Sequence, residues 1–123
     1  MMDRDTWLRR ILDATRDLAD ERYQERVWVR AQGSEADSST EALIRLLDDY
    51  ELKAFIAVAG DKGWVSSDQL AALQTLENGL EGYVARDHSS GGEAARIGSP
   101  AWRRMRKLAH ATLETFAARA ASA

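Results

Sequence analysis

Apolar side chains recur along most of this chain at intervals of three and four residues, the spacing of one face of an α-helix. The pattern is clearest after Ser38, where five apolar residues follow at helical positions: Leu43, Ile44, Leu46, Leu47 and Tyr50. Ser38 and Glu41 stand three residues apart at the start of this segment, which is the spacing of a capping box. The segment is therefore predicted to be a helix that begins at Ser38.

Two adjacent acids, Asp48 and Asp49, stand at the end of this predicted helix. Carboxylates are unfavourable there, because the helix macrodipole is negative at its C-terminal end. Either the helix continues through Phe55, or the chain bends at the two aspartates and a new helix begins. We favour the bend, with Asp48 or Asp49 as the N-cap of the second helix, since aspartate is a good N-cap.

Helix-start signals occur at three further places. A first helix is predicted from Asp3 or Asp5, and Ser66 opens a Leu-rich segment with a second capping box. Ser99 precedes Pro100, the only proline, which is favourable in the first turn of a helix.

The Leu-rich segment has a near-heptad apolar stripe, which is typical of helices that pack against other helices. We therefore expect Leu46, Leu73 and Trp102 to be buried in one core.

The remaining segments show weaker patterns. Val27 to Arg30 has strand-like residues but no second strand-like run to pair with, so we predict either a helix or an extended tail. Residues 86–98 lose helical periodicity and are predicted to form a mobile loop, and the alanine-rich residues 117–123 are predicted to fray. The prediction is an all-α fold, a single-domain bundle of four to six helices over residues 1–123.

The composition narrows the class of protein. The chain has 123 residues, 45% of them hydrophobic and 30% charged, and no cysteine. The absence of cysteine excludes disulfides and thiolate chemistry and fits a reducing cytoplasm, where we expect the protein to act. The acidic start and the lack of an apolar run near ~18 residues predict neither a signal peptide nor a membrane span. A net charge of −3 argues against general affinity for nucleic acid.

No set of residues has the spacing of a known catalytic or metal site. His88 and His110 are the only histidines, and His110 with Glu114 could form half a metal site but is better interpreted as a surface pair. The serines have capping explanations, and no base is placed beside them. Asp48 and Asp49 point to different sides of any helix. We therefore predict no enzyme, no metal and no cofactor.

Charge is segregated along the chain. Between residues 35 and 51 the balance is −5, with Arg45 as the one base and six acids as candidate partner-binding residues: Glu35, Asp37, Glu41, Asp48, Asp49 and Glu51. From Ser99 onward the balance is +4, with four bases beside Trp102: Arg103, Arg104, Arg106 and Lys107. Basic residues around an aromatic can bind nucleic acid, but we favour Trp102 as a core residue with a solvated basic rim. Either the acidic and basic elements are neighbours in the fold, or one of them is a docking face.

Several short motifs together resemble a known group of proteins. They are Leu18-Ala19-Asp20-x-x-Tyr23-Gln24-x-x-x-Trp28, then Leu46-Leu47-Asp48-Asp49, then a capped Leu-rich helix and a closing Pro100-Ala101-Trp102 helix. Over most of its length, from about Leu8 to Phe116, the chain resembles a family of small, uncharacterised helical bacterial proteins common in actinobacteria. The family has no established catalytic residues. The size and build also resemble immunity proteins, which bind and neutralise a toxin domain made in the same cell.

Two functions are therefore predicted. The first is a cytoplasmic protein-binding module of the immunity type that uses the acidic central segment to mask a partner. The alternative is a structural or regulatory homo-oligomer, such as a homodimer, in which an exposed Trp28 or Trp64 and the last helix form a self-interface.

Overall fold

The structure is a computed structural model, which describes residues 3–30, 37–86 and 92–122, with side chains as far as residue 118. These residues form seven α-helices and two π-helical segments, in a single all-α domain. In chain order they are α1 (Arg4–Ala19), α2 (Glu21–Tyr23), π1 (Gln24–Val29), α3 (Ser39–Ile44), π2 (Arg45–Asp49), α4 (Leu52–Lys62), α5 (Ser67–Ala85), α6 (Glu93–Ile97) and α7 (Pro100–Ser122). The all-α prediction is confirmed, and the helix count exceeds four to six because α2 and α6 are single short turns.

The predicted helix starts are present. Asp3 accepts from the Thr6 N–H at 2.8 Å, so α1 begins at the first of its two candidate caps. The Ser38 hydroxyl accepts from the Glu41 N–H at 3.1 Å. At α5, Ser66 and Gln69 bond each other's backbone N–H reciprocally, at 3.1 and 2.9 Å. Each bond satisfies a backbone donor that the helix itself leaves without a partner.

The core lies where α7 packs against α1 and α5, with α4 covering α5 and π2 lying on α1 and α4. Leu46, Leu73 and Trp102 are all fully buried, as predicted. Aromatic rings form two clusters within it, in which ring edges meet ring faces. One joins Trp7, Phe55 and Trp64, and the other joins Tyr23, Trp28, Trp102 and Tyr83.

The bend after the central helix is present, but neither aspartate caps the next helix. Both lie inside π2, whose wider turn ends with a bond from the Tyr50 N–H to the Arg45 carbonyl at 2.9 Å. This turn extends the helix past Asp48 and Asp49, so the change of direction falls on Glu51. Glu51 is the N-cap of α4 and has a left-handed backbone, with φ of 45° and no side-chain capping bond. The predicted capping role of the aspartates is wrong.

Three segments for which the sequence pattern was weak are helical in part or throughout. Val27 to Arg30 is helical, since π1 runs to Val29 and Arg30 caps it. Part of the predicted loop is helical, because α6 spans Glu93–Ile97 and buries Ile97 in the core, while residues 87–91 lie outside the described residues. The alanine-rich end is part of α7, which continues to Ser122. In the part of the chain that the structure describes, we find no helix with both the length and the apolar character to cross a membrane.

Candidate functional site

A buried carboxylate lies beneath the central acidic segment. Asp37, just before α3, has a side chain only 4% exposed. Its Oδ2 accepts from the Tyr23 hydroxyl at 2.7 Å and from the Trp28 indole N–H at 2.9 Å. Its Oδ1 accepts from the Arg45 guanidinium at 2.7 Å, and Arg45 also reaches Asp17 of α1 at 3.2 Å. Asp37 therefore ties π1 to π2, and Arg45 ties both to α1.

Hydrogen bonds keep this carboxylate ionised. Burial by itself would raise the pKa of Asp37, but the hydrogen bonds from Trp28, Tyr23 and Arg45 outweigh it and hold the pKa below its ordinary value of 3.8. Burial raises the pKa of Asp17, and the charge of Arg45 only partly opposes that effect. The group is a structural ion cluster, since its polar atoms are occupied by one another.

The π-helical backbone explains how Tyr23 and Trp28 reach the same oxygen. They are five residues apart, which places them on different sides of a regular α-helix. In π1 the backbone bonds run from residue i+5 to residue i, as from the Arg30 N–H to the Glu25 carbonyl at 3.1 Å. Residues five apart then lie close together, and the two ring centroids are 6.0 Å apart. An α-helical reading of the sequence could not find this pair.

A second buried polar group lies beside the first. Gln24 of π1 is fully buried, and its amide N–H groups donate to the backbone carbonyls of Asp17 at 2.9 Å and Leu18 at 2.8 Å. Its carbonyl oxygen accepts from the Trp102 indole at 3.1 Å and from Arg106 at 3.0 Å. All four hydrogen-bonding positions of the amide are used. The side chains of Tyr23, Gln24 and Trp28 therefore form hydrogen bonds that join elements inside the fold.

The short helix α6 fastens the start of α3. The Glu93 carboxylate accepts from the Ser39 backbone N–H at 2.8 Å and from its hydroxyl at 2.6 Å. Arg96 donates to the same hydroxyl at 2.7 Å and to Thr40 at 3.1 Å. The carboxylate lies at the positive N-terminal end of α3, where it is favourable. No local sequence pattern predicts this contact, because it joins residues 54 apart.

The six acids predicted to bind a partner are not one surface. Asp37 is buried in the ion cluster, so its predicted role as a partner-binding residue is wrong, and Glu35 lies outside the described residues. The other four are exposed on α3, π2 and the turn that follows: Glu41, Asp48, Asp49 and Glu51.

Three residues of this element share one exposed face. Glu41, Ile44 and Asp48 follow at intervals of three and four residues, and Ile44 is 40% exposed. We call these three residues the acidic ridge. Arg45 points away from it into the ion cluster. Within the described ranges, neither carboxylate of the ridge forms an ion pair.

Within the described residues, no ion pair joins the acidic element to the basic element. α3 and π2 pack against α1 and α4, whereas α7 packs against α1, α5 and α6. Arg106 pairs with Glu21 at 3.0 Å, while Arg103, Arg104 and Lys107 are exposed. Trp102 is buried, so the expectation of a core tryptophan with a basic rim is confirmed. The two charged segments are therefore not arranged to neutralise each other.

The structure also locates one of the two histidines. His110 is exposed on α7, and His88 lies outside the described residues. Among the residues that the structure places, no three metal-ligating side chains come together. Comparisons with known protein families, with characterised proteins and with solved structures find no match to this chain.

Proposed function

We propose that this protein is a non-catalytic protein-binding module and that the acidic ridge docks on a basic surface of a partner protein. The observation that carries the proposal is the arrangement on α3 and π2. An exposed isoleucine stands between two carboxylates that have no ion-pair partner in the described parts of the chain. An apolar side chain supplies buried area at an interface, and the charges around it supply orientation and rate of encounter.

The ridge is held rigidly from below, which favours binding. Arg45 follows Ile44 directly and is fixed by Asp37 and Asp17. The start of the same helix is fixed by Glu93. A surface held in place at both ends loses little conformational freedom on binding, so more of the contact energy remains as affinity.

We further propose that the partner is a toxin domain made in the same cell, which makes this an immunity protein that acts in the cytoplasm. Three features support the proposal: the small helical build, the exposed acidic ridge and the resemblance to small helical bacterial proteins. The alternative, a homo-oligomer built on an exposed tryptophan, has weaker support because Trp28 is only 5% exposed and Trp64 is half-buried.

The test is a binding measurement with charge-reversed ridges. Glu41→Lys with Asp48→Lys should weaken binding to a toxin domain encoded beside this gene at least 100-fold, chiefly by slowing association. Asp61→Lys is the matched control, because Asp61 is an equally exposed acid on α4. Calorimetry and surface-immobilised kinetics at low and high salt would measure both effects, since salt screens charge steering. Equal affinity of the ridge variant and the control would overturn the proposed binding face.

A further inference from the structure

A groove lies on the side of the molecule where α1 ends, α2 begins and α7 passes. Its volume is ≈ 680 Å³. Ala19 and Leu113 give it apolar lining, and three basic residues stand along it: Arg22, Arg103 and Lys107. We call it the basic groove. An open groove with apolar and charged lining is suited to a protruding side chain and its charged neighbours rather than to a small enclosed ligand.

The cations of the basic groove are uncompensated. Two other arginines in the lining are paired, Arg16 with Asp13 at 2.5 Å and Arg106 with Glu21 at 3.0 Å. Across the described ranges, by contrast, the side chains of Arg22, Arg103 and Lys107 make no ion pair or hydrogen bond. The groove therefore presents three free positive charges beside apolar surface.

We propose that the basic groove accepts the acidic ridge of a second copy of this chain. The two surfaces are complementary in charge and in character. The ridge offers an apolar side chain between two free carboxylates, and the groove offers apolar lining between free cations.

One molecule cannot make this contact with itself. Arg16 of α1 lines the groove, whereas the next residue, Asp17, bonds Arg45 beside the ridge. Consecutive positions on an α-helix point about 100° apart, so the two surfaces face different directions. Each copy then offers one free ridge and one free groove. The association is head-to-tail, and it extends to higher oligomers unless the chain of copies closes into a ring.

Nucleic acid is a poorer occupant of the basic groove. Asp20 and Glu21 are part of its lining and would repel a continuous row of phosphates. Its described lining residues include no Phe, Tyr or Trp, so the imidazole of His110 is the one ring there on which a base could stack.

Self-association through the basic groove does not require the proposed partner, but it would affect binding of that partner. A ridge seated in the groove of another copy is covered, so self-association competes with partner binding. The contact is small and exposed at its edges, so we expect it to be weak and reduced by salt.

Complementary variants test the proposal directly. In sedimentation velocity, the wild type at low salt should show an average mass that rises with concentration past that of a dimer. A ridge variant, Glu41→Lys with Asp48→Lys, and a groove variant, Arg103→Glu with Lys107→Glu, should each remain monomeric. An equimolar mixture of the two should associate again and grow past a dimer, because the intact ridge meets the intact groove and the reversed ridge and reversed groove are again opposite in charge. Arg104→Glu, an exposed site on α7 outside the groove lining, is the control and should associate like the wild type.

Circular dichroism would establish that all variants fold. A wild type that is monomeric at every concentration would overturn the proposal, and so would a mixture that stays monomeric. Persistent association of the groove variant alone would indicate a ridge-to-ridge dimer instead. Binding of a labelled 20-nucleotide single strand by a monomeric wild type, lost in the groove variant, would replace the second copy with nucleic acid. The two proposals are tested separately. The groove variant keeps its acidic ridge, so it should still bind the toxin domain even if the ridge does not bind the groove of a second copy.

Discussion

The indole N–H of Trp102 donates to the amide oxygen of Gln24 across 3.1 Å, and so joins residues 78 apart in the chain. Trp102 begins the buried face of α7, and Gln24 opens π1. The same amide group also bonds two carbonyls at the end of α1. The side chain of Gln24 therefore joins three elements: α1, π1 and α7.

Replacing Gln24 with Leu should destabilise the protein by about 2–4 kcal/mol. The change leaves the Trp102 indole and two backbone carbonyls without partners, and orphaned buried groups each cost about 1–3 kcal/mol. Urea denaturation followed by fluorescence would measure the loss. Gln74→Leu on α5 is the matched control, because Gln74 is exposed and should change stability by less than ~0.5 kcal/mol. Equal effects at the two sites would show that the Gln24 bonds are not important for folding.

Asp37→Ala should cost about 2–4 kcal/mol, because it leaves the Tyr23 and Trp28 donors unpaired and the Arg45 guanidinium with Asp17 as its one ion-pair partner in the described residues. The loss should also change the pH dependence of stability. Since the folded state lowers the pKa of Asp37 below 3.8, the unfolded state binds more protons in that range. The contribution of Asp37 is therefore fully present above about pH 4 and disappears as the pH falls through the folded pKa.

Melting temperatures of the wild type and Asp37→Ala between pH 2.5 and 7 would show this convergence at acid pH. Asp48→Asn is the control, since Asp48 is exposed and its substitution should leave stability nearly unchanged. A constant difference between wild type and Asp37→Ala over the whole range would contradict a role for the ionised carboxylate.

Asp37 is buried and Asp48 is exposed, and this difference could not be predicted from the sequence. Local signals, such as the capping pairs and the helical spacing of Leu46 and Leu73, depend only on near neighbours and were sufficient for the all-α fold and its core. The six acids between residues 35 and 51 look alike in sequence. Only the π-helical turns, which have no clear sequence signature, decide that Asp37 is buried and Asp48 is exposed. The pairs Gln24–Trp102 and Ser39–Glu93 are equally invisible, because tertiary packing brings them together.

Glu77→Gln should stabilise the protein at neutral pH by about 1 kcal/mol. Glu77 of α5 is 5% exposed, and one of its carboxyl oxygens lacks a hydrogen bond within the described residues. Burial, followed by the hydrogen bond and charge of Glu81, raises the pKa of Glu77 above 4.5. The folded state then binds more protons than the unfolded state, so this group lowers stability as the pH rises above about 4.5. The stabilisation by Gln should shrink toward pH 4.5 and vanish below it.

Chemical denaturation at pH 4 and pH 7 would test this dependence, with the exposed Glu114→Gln on α7 as the control. If Glu77→Gln raises the free energy of unfolding equally at both pH values, the ionised carboxylate of Glu77 does not destabilise the protein.

Glu51 combines backbone strain with an exposed charge beside the acidic ridge. Its φ of 45° is a left-handed conformation that costs a residue with a side chain about 1–2 kcal/mol, whereas asparagine tolerates it better. Glu51→Asn should therefore raise stability by about 0.5 kcal/mol and remove the charge, while Glu51→Ala removes the charge without relieving the strain. If Glu51 belongs to the partner-binding face, both variants should lose affinity for the toxin domain to a similar extent although their melting temperatures differ. Loss of affinity in only one of them would mean that the backbone conformation at Glu51, and not its carboxylate, is what the partner requires.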